Sequence, residues 1–240
     1  MGVSVYPKPQ ADQSVSCYLR NLSRRNGFAS VALFTQLFFD DSSLVPITLT
    51  GEELSKTIGK QQSHLDGLDL LASGEGRQTH TFGRLEIPRY QLCRKERYCP
   101  ECLQEQETCL SKWQIGWMPL CAKHKRPLHE MTKEIERGLF LGTRILNEEQ
   151  PTHRGLLLPL NELCEIQSTL QDRLELESAD GCCAGESIVD LVDRRLFTSM
   201  RLESVDCLSK RRRRYPLQYY DRSIEDSVLF LEYFAGQIAA

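Results

Sequence analysis

The sequence predicts a mainly α-helical protein with one small β element near its middle. Three observations lead there. Apolar residues recur at three- and four-residue spacing in the first quarter and again over residues 151–240. Between those stretches, Cys99 and Cys102 form one closely spaced pair of ligand-type residues, and Cys121 and His124 form another. Within that interval Trp113, Ile115 and Trp117 alternate, the period of a strand with one buried face. Three parts are expected: a helical N-terminal domain over residues 1–84, a ligand-bearing domain over 85–146, and a helical C-terminal region over 147–240.

Taken in order, Asp12 or Ser14 can cap a first helix whose apolar face is Val15, Tyr18, Leu19 and Leu22, with Asn26-Gly27 as a left-handed stop. Ser30 can cap a second helix, carrying Leu33, Phe34, Leu37 and Phe38. Thr50-Gly51-Glu52-Glu53 fits a capping box for a third, with Leu54 and Ile58 facing inward. A fourth helix is expected from about residue 61 to 72 on Leu65, Leu68 and Leu71. Four short helices with tight turns can contain a helix-turn-helix or be a plain helical bundle, and pattern alone leaves both open. Residues 73–84, rich in Gly, Ser and Thr, read as a loop, and 85–90 as a short strand. After the ligand region, Leu160, Leu163, Ile166, Leu170 and Leu174 recur at helical spacing, as do Ile188, Leu191, Val192 and Leu196. Residues 178–185 read as a loop between them, and Ser223 with Asp226 resembles a cap before Ile224, Val228, Leu231 and Phe234.

Bulk properties narrow the function classes. With 240 residues and 40% hydrophobic content the chain can build a real core. It has no apolar run of about 18 residues to span a membrane, and residues 1–10 lack the apolar stretch of a secretory signal. The formal charge of −3 is spread evenly: 12 basic against 10 acidic residues over 1–98, 7 against 8 over 99–150, and 11 against 15 over 151–240. No segment has the broad positive field of a stand-alone DNA binder, so any nucleic-acid contact is expected to be local or shared with a partner.

The chemistry sits in Cys99-Pro100-Glu101-Cys102, followed by 18 residues and then Cys121-Ala122-Lys123-His124. Two intervening residues let a tight turn aim two side chains at one ion. Two such turns facing each other complete a tetrahedron, the geometry Zn²⁺ accepts from sulfur and imidazole. One Zn²⁺ is therefore expected on Cys99, Cys102, Cys121 and His124, in a zinc-ribbon arrangement. Four protein ligands leave no position for a catalytic water, so the ion is expected to be structural and its binding energy to be folding energy. No His-x-Glu precedes the Cys-Pro-x-Cys pair as a zinc deaminase requires, and neither HExxH nor a Walker-type phosphate loop occurs, so no enzyme is expected. Of the other cysteines, Cys17, Cys164 and Cys207 read as inert buried thiols, Cys93 and Cys109 as possible stand-in ligands, and Cys182-Cys183 as half of a second site without a partner pair. With a metal in prospect, reduced thiols in a cytoplasmic setting are the expectation.

Candidate nucleic-acid contacts are Arg20, Arg24 and Arg25 near the end of the first helix, Lys56 and Lys60 on the third, and Arg94, Lys95 and Arg97 ahead of the ligands. The strongest charge run is Lys210, Arg211, Arg212, Arg213 and Arg214, followed by Tyr215, Tyr219 and Tyr220, which can stack on bases. The alternative for every one of these is a solvated surface, balanced in the last case by acidic flanks.

The ligand segment resembles the TniQ family of transposition proteins. The matching residues are Arg97-Tyr98-Cys99-Pro100-Glu101-Cys102-Leu103, Trp113-Gln114 with Trp117, Cys121-Ala122-Lys123-His124, and Pro127-Leu128. The opening, residues 14–22 followed by Asn26-Gly27, is similar to the family's N-terminal helix and stop. The resemblance implies a prokaryotic protein with a helix-turn-helix-type N-terminal domain beside a zinc finger. It implies selection of transposon insertion sites and recruitment of an AAA+ ATPase regulator that engages the transposase. It further implies coupling to an RNA-guided CRISPR effector with its guide RNA, or to target DNA directly, with no catalysis. Longer relatives carry a second cysteine finger after the first; residues 130–142 contain no cysteine, so one zinc is expected here. The function expected is thus a target-selection adaptor, with direct sequence-specific DNA binding as the alternative.

Overall fold

The structure, a computed structural model, describes residues 3–39, 48–73, 78–93, 95–106, 108–141, 158–180, 186–194, 227–228 and 231–232. Helix α1 (Val15–Arg25) starts where extended Ser14 accepts the Cys17 amide through its side chain at 3.1 Å, the arrangement of an N-cap. It stops at Asn26, whose side-chain oxygen accepts the amides of Ser4 and Val5 at 2.8 and 2.9 Å and so straps the N-terminal segment across the helix end. Val15, Tyr18, Leu19 and Leu22 enter one core, while Cys17 belongs to a second. The helix is therefore buried on two faces.

Helix α2 (Val31–Phe39) begins at Ser30, whose hydroxyl accepts the Leu33 amide at 3.1 Å. Its buried stripe differs from expectation. Phe34 and Thr35 are buried with Val31 and Phe38 packed beside them, whereas Leu33 and Leu37 are 41% and 56% exposed. Nearly every residue of this helix is apolar, so periodicity cannot choose a face. Aromatic geometry does: Phe28 meets Phe34 and Phe38 edge-on at 5.2 and 5.7 Å. Helix α3 (Gly51–Ile58) has both halves of the capping box, Thr50 accepting the Glu53 amide and Glu53 accepting the Thr50 amide, and ends at left-handed Gly59. Thr50→Ala is expected to lower stability by about 1 kcal/mol, read as a lower urea midpoint at unchanged slope.

The fourth helix does not form. Residues 62–65 make a single 3₁₀ turn, and positive φ at Gly67 (101°) and Leu70 (60°) ends helical progression. Leu71–Ser73 is instead strand β1, and the expected loop contains strand β2 (Thr79–Phe82). With β3 (Leu85–Pro88), within the expected strand region, they form an antiparallel sheet in the order β1-β2-β3. The β2–β3 turn needs its glycine. Gly83 has φ +56°, and a Cβ there would lie 2.7 Å from the Ser178 carbonyl, against which the hairpin sits.

The central region holds β4 (Arg97–Tyr98), α4 (Pro100–Gln106), a 3₁₀ turn over Ser111–Gln114, β5 (Leu120–Cys121), β6 (Arg126–Pro127) and β7 (His129–Glu130). β4 pairs with β7, and β5 with β6. No continuous strand carries the two tryptophans: Ile115 makes only an isolated bridge to Leu92. Trp113, Ile115 and Trp117 are nevertheless all buried. Side-chain burial, not strand pairing, fixes this segment, and Trp117 Nε1 donates to Gln91 Oε1 at 3.2 Å. Helices α5 (Lys133–Leu141) and α6 (Leu160–Asp180) follow, and residues 188–194 are helical. α6 buries Leu163, Leu170 and Leu174 as expected, with Leu160 and Ile166 half-buried, and runs through Ser178, where a loop was expected to begin. Ile188, Val192, Val228 and Leu231 join the same core as the tryptophans. Cys182, Cys183, Leu196, Cys207, Ser223, Ile224 and Phe234 lie outside the described residues. The chain is mainly helical with small sheets, and among the described residues no helix is long and apolar enough to cross a membrane.

Candidate metal centre

Two turns deliver four ligands. In the first, β4 ends at Tyr98, Cys99 follows it, and Pro100 opens α4, a position where a missing N–H leaves nothing unsatisfied. The Leu103 amide donates to the Cys99 carbonyl at 2.9 Å, which swings Cys102 onto the first helical turn beside Cys99. In the second, β5 ends at Cys121 and the chain reverses through Lys125, at φ 47°, into β6. The His124 amide donates to Cys121 Sγ at 3.5 Å.

The second turn is held from outside. Gln167 on α6 accepts the Leu120 amide on Oε1 at 2.8 Å and donates from Nε2 to the Leu120 carbonyl. Both groups are buried one residue from a ligand. Gln167→Leu leaves them unpaired at about 1–3 kcal/mol each. The expected result is a loss of about 2–6 kcal/mol in denaturant unfolding, with faster surrender of metal to a chelator.

His124 Nδ1 lies 3.3, 3.2 and 3.6 Å from the sulfurs of Cys99, Cys102 and Cys121, and Cys102 Sγ lies 3.6 Å from Cys121 Sγ. All four donor atoms fall within 4.8 Å of one another. Metal–sulfur bonds of ~2.3 Å and metal–nitrogen bonds of ~2.0 Å at tetrahedral angles require edges of about 3.5–3.8 Å. The three sulfur–nitrogen edges and the Cys102–Cys121 edge come within a few tenths of an ångström of that range, so the donor set fits a metal ion and is consistent with zinc. The three cysteines are buried, and the His124 side chain is 15% exposed. Their electrostatics favour a cation. The Cys99 thiol is held well above its usual range by its hydrogen bond to Cys121 and by burial, and Cys102 is pushed up to about 11 by burial. Cys121 is lowered by the Cys99 hydrogen bond. Three sulfurs this close resist ionising together unless a positive ion shares the space.

The family model of TniQ matches residues 4–128, more than half of the chain. This chain belongs to the TniQ family. TniQ is a transposition accessory family, which makes the protein transposition-associated. No curated protein matches the chain. The TniQ match contains all four ligands, α1 to α3 and the three-stranded sheet; α6, which supplies Gln167, lies beyond it.

The other candidate residues separate into inside and outside. Arg20 is buried and paired with Glu96, and Arg97 is buried with Nη1 donating to the Gly116 carbonyl at 3.3 Å and Nη2 to Ser227 Oγ at 2.9 Å. Neither is presented to solvent, which corrects their reading as surface cations. Arg24, Arg25, Lys56 and Lys60 are exposed, Lys60 standing 4.4 Å over the Tyr6 ring. Lys95 is exposed and pairs with Glu130 at 2.6 Å. Arg94 and residues 210–214 lie outside the described residues. Cys93 and Cys109 are not stand-in ligands, since both lie outside the four-residue cluster. Cys109 instead hydrogen-bonds Cys17, lowering that thiol to about 7 against the effect of burial. Two supporting residues went unread in the sequence. Gln167 had a signal, a polar side chain amid the apolar period of Leu163, Leu170 and Leu174. Glu96 had none, its partners being distant in the chain.

Proposed function

We propose that this TniQ protein is a non-enzymatic adaptor for choosing transposon insertion sites. It bridges a targeting complex, either an RNA-guided effector with its guide RNA or a DNA site, to an AAA+ ATPase transposition regulator. The observation that carries the reading is the family match over residues 4–128. The donor set supports it: Cys99, Cys102, Cys121 and His124 form a four-donor cluster, and in this reading they hold one Zn²⁺ with a complete shell, which stabilises the fold and leaves no coordination position for a substrate. Likewise residues 1–84 form a domain of helix-turn-helix type, 85–146 the zinc ribbon and 147–240 a helical region. Residues 210–214, five adjacent cations, contact nucleic-acid phosphates.

Deletion of the protein abolishes targeted insertion while transposase chemistry persists in vitro, and immobilised protein retains a purified AAA+ regulator. Normal insertion without the protein sinks the adaptor reading. Direct sequence-specific DNA recognition is the second reading. It rests on Arg24, Arg25, Lys56, Lys60 and Lys95, which are exposed. Arg20 and Arg97 are turned inward and do not serve it. Salt-sensitive, sequence-dependent duplex binding by the purified protein alone would favour that second reading.

A further inference from the structure

Helix α4 carries two carboxylates one turn apart, Glu101 and Glu105, and both approach the imidazole of His124. Glu105 Oε1 lies 3.2 Å from Nε2, and Glu101 Oε2 lies 3.6 Å from Nδ1. The two nitrogens have different surroundings. Nδ1 is the atom turned to the three sulfurs, at 3.2 to 3.6 Å. A nitrogen that ligates a metal must offer its lone pair, so the one proton of the neutral ring sits on the other nitrogen. Here that nitrogen is Nε2, the atom that lies 3.2 Å from the Glu105 carboxylate.

We propose that Glu105 is a positioning residue for the metal centre. It accepts the Nε2–H hydrogen bond of His124, fixes the tautomer that leaves Nδ1 free to ligate, and holds the ring in the plane that faces the sulfurs. This rests on the reading that the four-residue cluster holds zinc. Carboxylates that receive the outer N–H of a ligating histidine strengthen it as a donor and resist its rotation. Glu105 is itself held in place by Lys123 Nζ, from the residue preceding His124, so one short turn carries both the ligand and the tether of its orienting carboxylate. Glu101 does not share the role. Its partner is Arg126 Nη1 at 3.0 Å, and the imidazole atom it approaches is the one that gives up its proton to ligate. The Glu105 side chain is 43% exposed. Its contribution therefore falls on metal retention and ring orientation rather than on the core.

The test uses the full zinc-loaded chain with Glu105→Ala, Glu105→Gln and Glu101→Gln. Zinc content is measured first, by elemental analysis. Zinc release to a chromogenic chelator is followed next, and the ¹⁵N shifts of the His124 ring are read by long-range proton–nitrogen correlation. The wild-type ring is expected to show a metal-shifted Nδ1 and a protonated Nε2. Glu105→Ala is expected to release zinc about 10–100-fold faster, with Glu105→Gln between it and wild type because an amide oxygen still accepts. Glu101→Gln is expected to stay within about twofold of wild type, since a residue outside the ligand's hydrogen bond should not change its affinity. A ring protonated on Nδ1 and metallated through Nε2, or release from Glu105→Ala at the wild-type rate, overturns the assignment. A wild-type protein that carries no zinc sinks the parent reading instead, and the two failures are distinguished at the first measurement.

Discussion

Stripping the metal, by chelation or by Cys121→Ser, is expected to unfold the centre of the protein. The strands there are too small to stand alone: β4, β5, β6 and β7 are two residues each, and isolated two-stranded pairings are marginal in water even at greater length. A structural zinc contributes about 10–16 kcal/mol in zinc-finger peptides, against about 5–15 kcal/mol for the whole net stability of a typical domain. The metal term is therefore large enough to decide whether the region folds. Loss should spread to the core that Trp113 and Trp117 share with Leu170, Leu174, Ile188 and Val192. The chain has only these two tryptophans, so their fluorescence and the tryptophan bands of the near-ultraviolet dichroism report on this core. Both signals should collapse as zinc leaves, and hydrogen exchange over residues 97–130 should approach the unprotected rate. The cluster around Phe34, Leu54 and Ile58 is a separate set of contacts, and its amides should keep more of their protection. A metal-free protein with unchanged tryptophan signals and melting temperature would refute the structural role.

What the sequence made legible was local. The four ligands stand out because each pair is separated by two residues, and a two-residue gap fixes what the side chains can reach. α1 and α3 were readable because Ser14, Thr50 and Glu53 act on amides three residues away. The failures share a cause. The expected helix over 61–72 had the right apolar spacing, but Gly67 lies against the backbone of Gln10 and Leu70 takes positive φ, both set by chain elsewhere. The strand expected near the tryptophans had the right alternation, but burial is reached through a 3₁₀ turn. Arginines illustrate the limit most directly. Arg20 and Arg25 sit on one short helix and look alike as letters, yet Arg25 is exposed while Arg20 meets a carboxylate 76 positions away. Charge is written in the sequence, whereas the partner that neutralises it is a property of the fold.

That buried pair gives the second large expected effect. Ser14, Cys17 and Arg20 lie three residues apart and share one face of α1, turned toward the metal-bearing region. Glu96, three residues before the first ligand, accepts from Ser14 Oγ at 2.6 Å and from Arg20 Nη2. Both charged side chains are nearly inaccessible, at 6% and 7% exposure. Burial alone would weaken the guanidinium's hold on its proton, but Glu96, with Cys109 and Cys17 beside it, more than offsets this, and Arg20 stays charged. Glu96→Gln is therefore expected to strand a buried cation and remove the charged acceptor of the α1 cap residue, costing about 3–5 kcal/mol. Arg20→Met should cost a similar amount by stranding Glu96. Replacing both, as Arg20→Met with Glu96→Leu, removes two desolvated charges together and should cost far less than the sum of the single changes. Denaturant unfolding of the four proteins closes the cycle. Single substitutions each costing under about 1 kcal/mol would place the pair in solvent and restore Arg20 as a candidate phosphate contact. A large coupling energy would instead make this pair a strong tie between the first helix and the metal-bearing region, beside the backbone bond from the Ser14 amide to the Cys109 carbonyl.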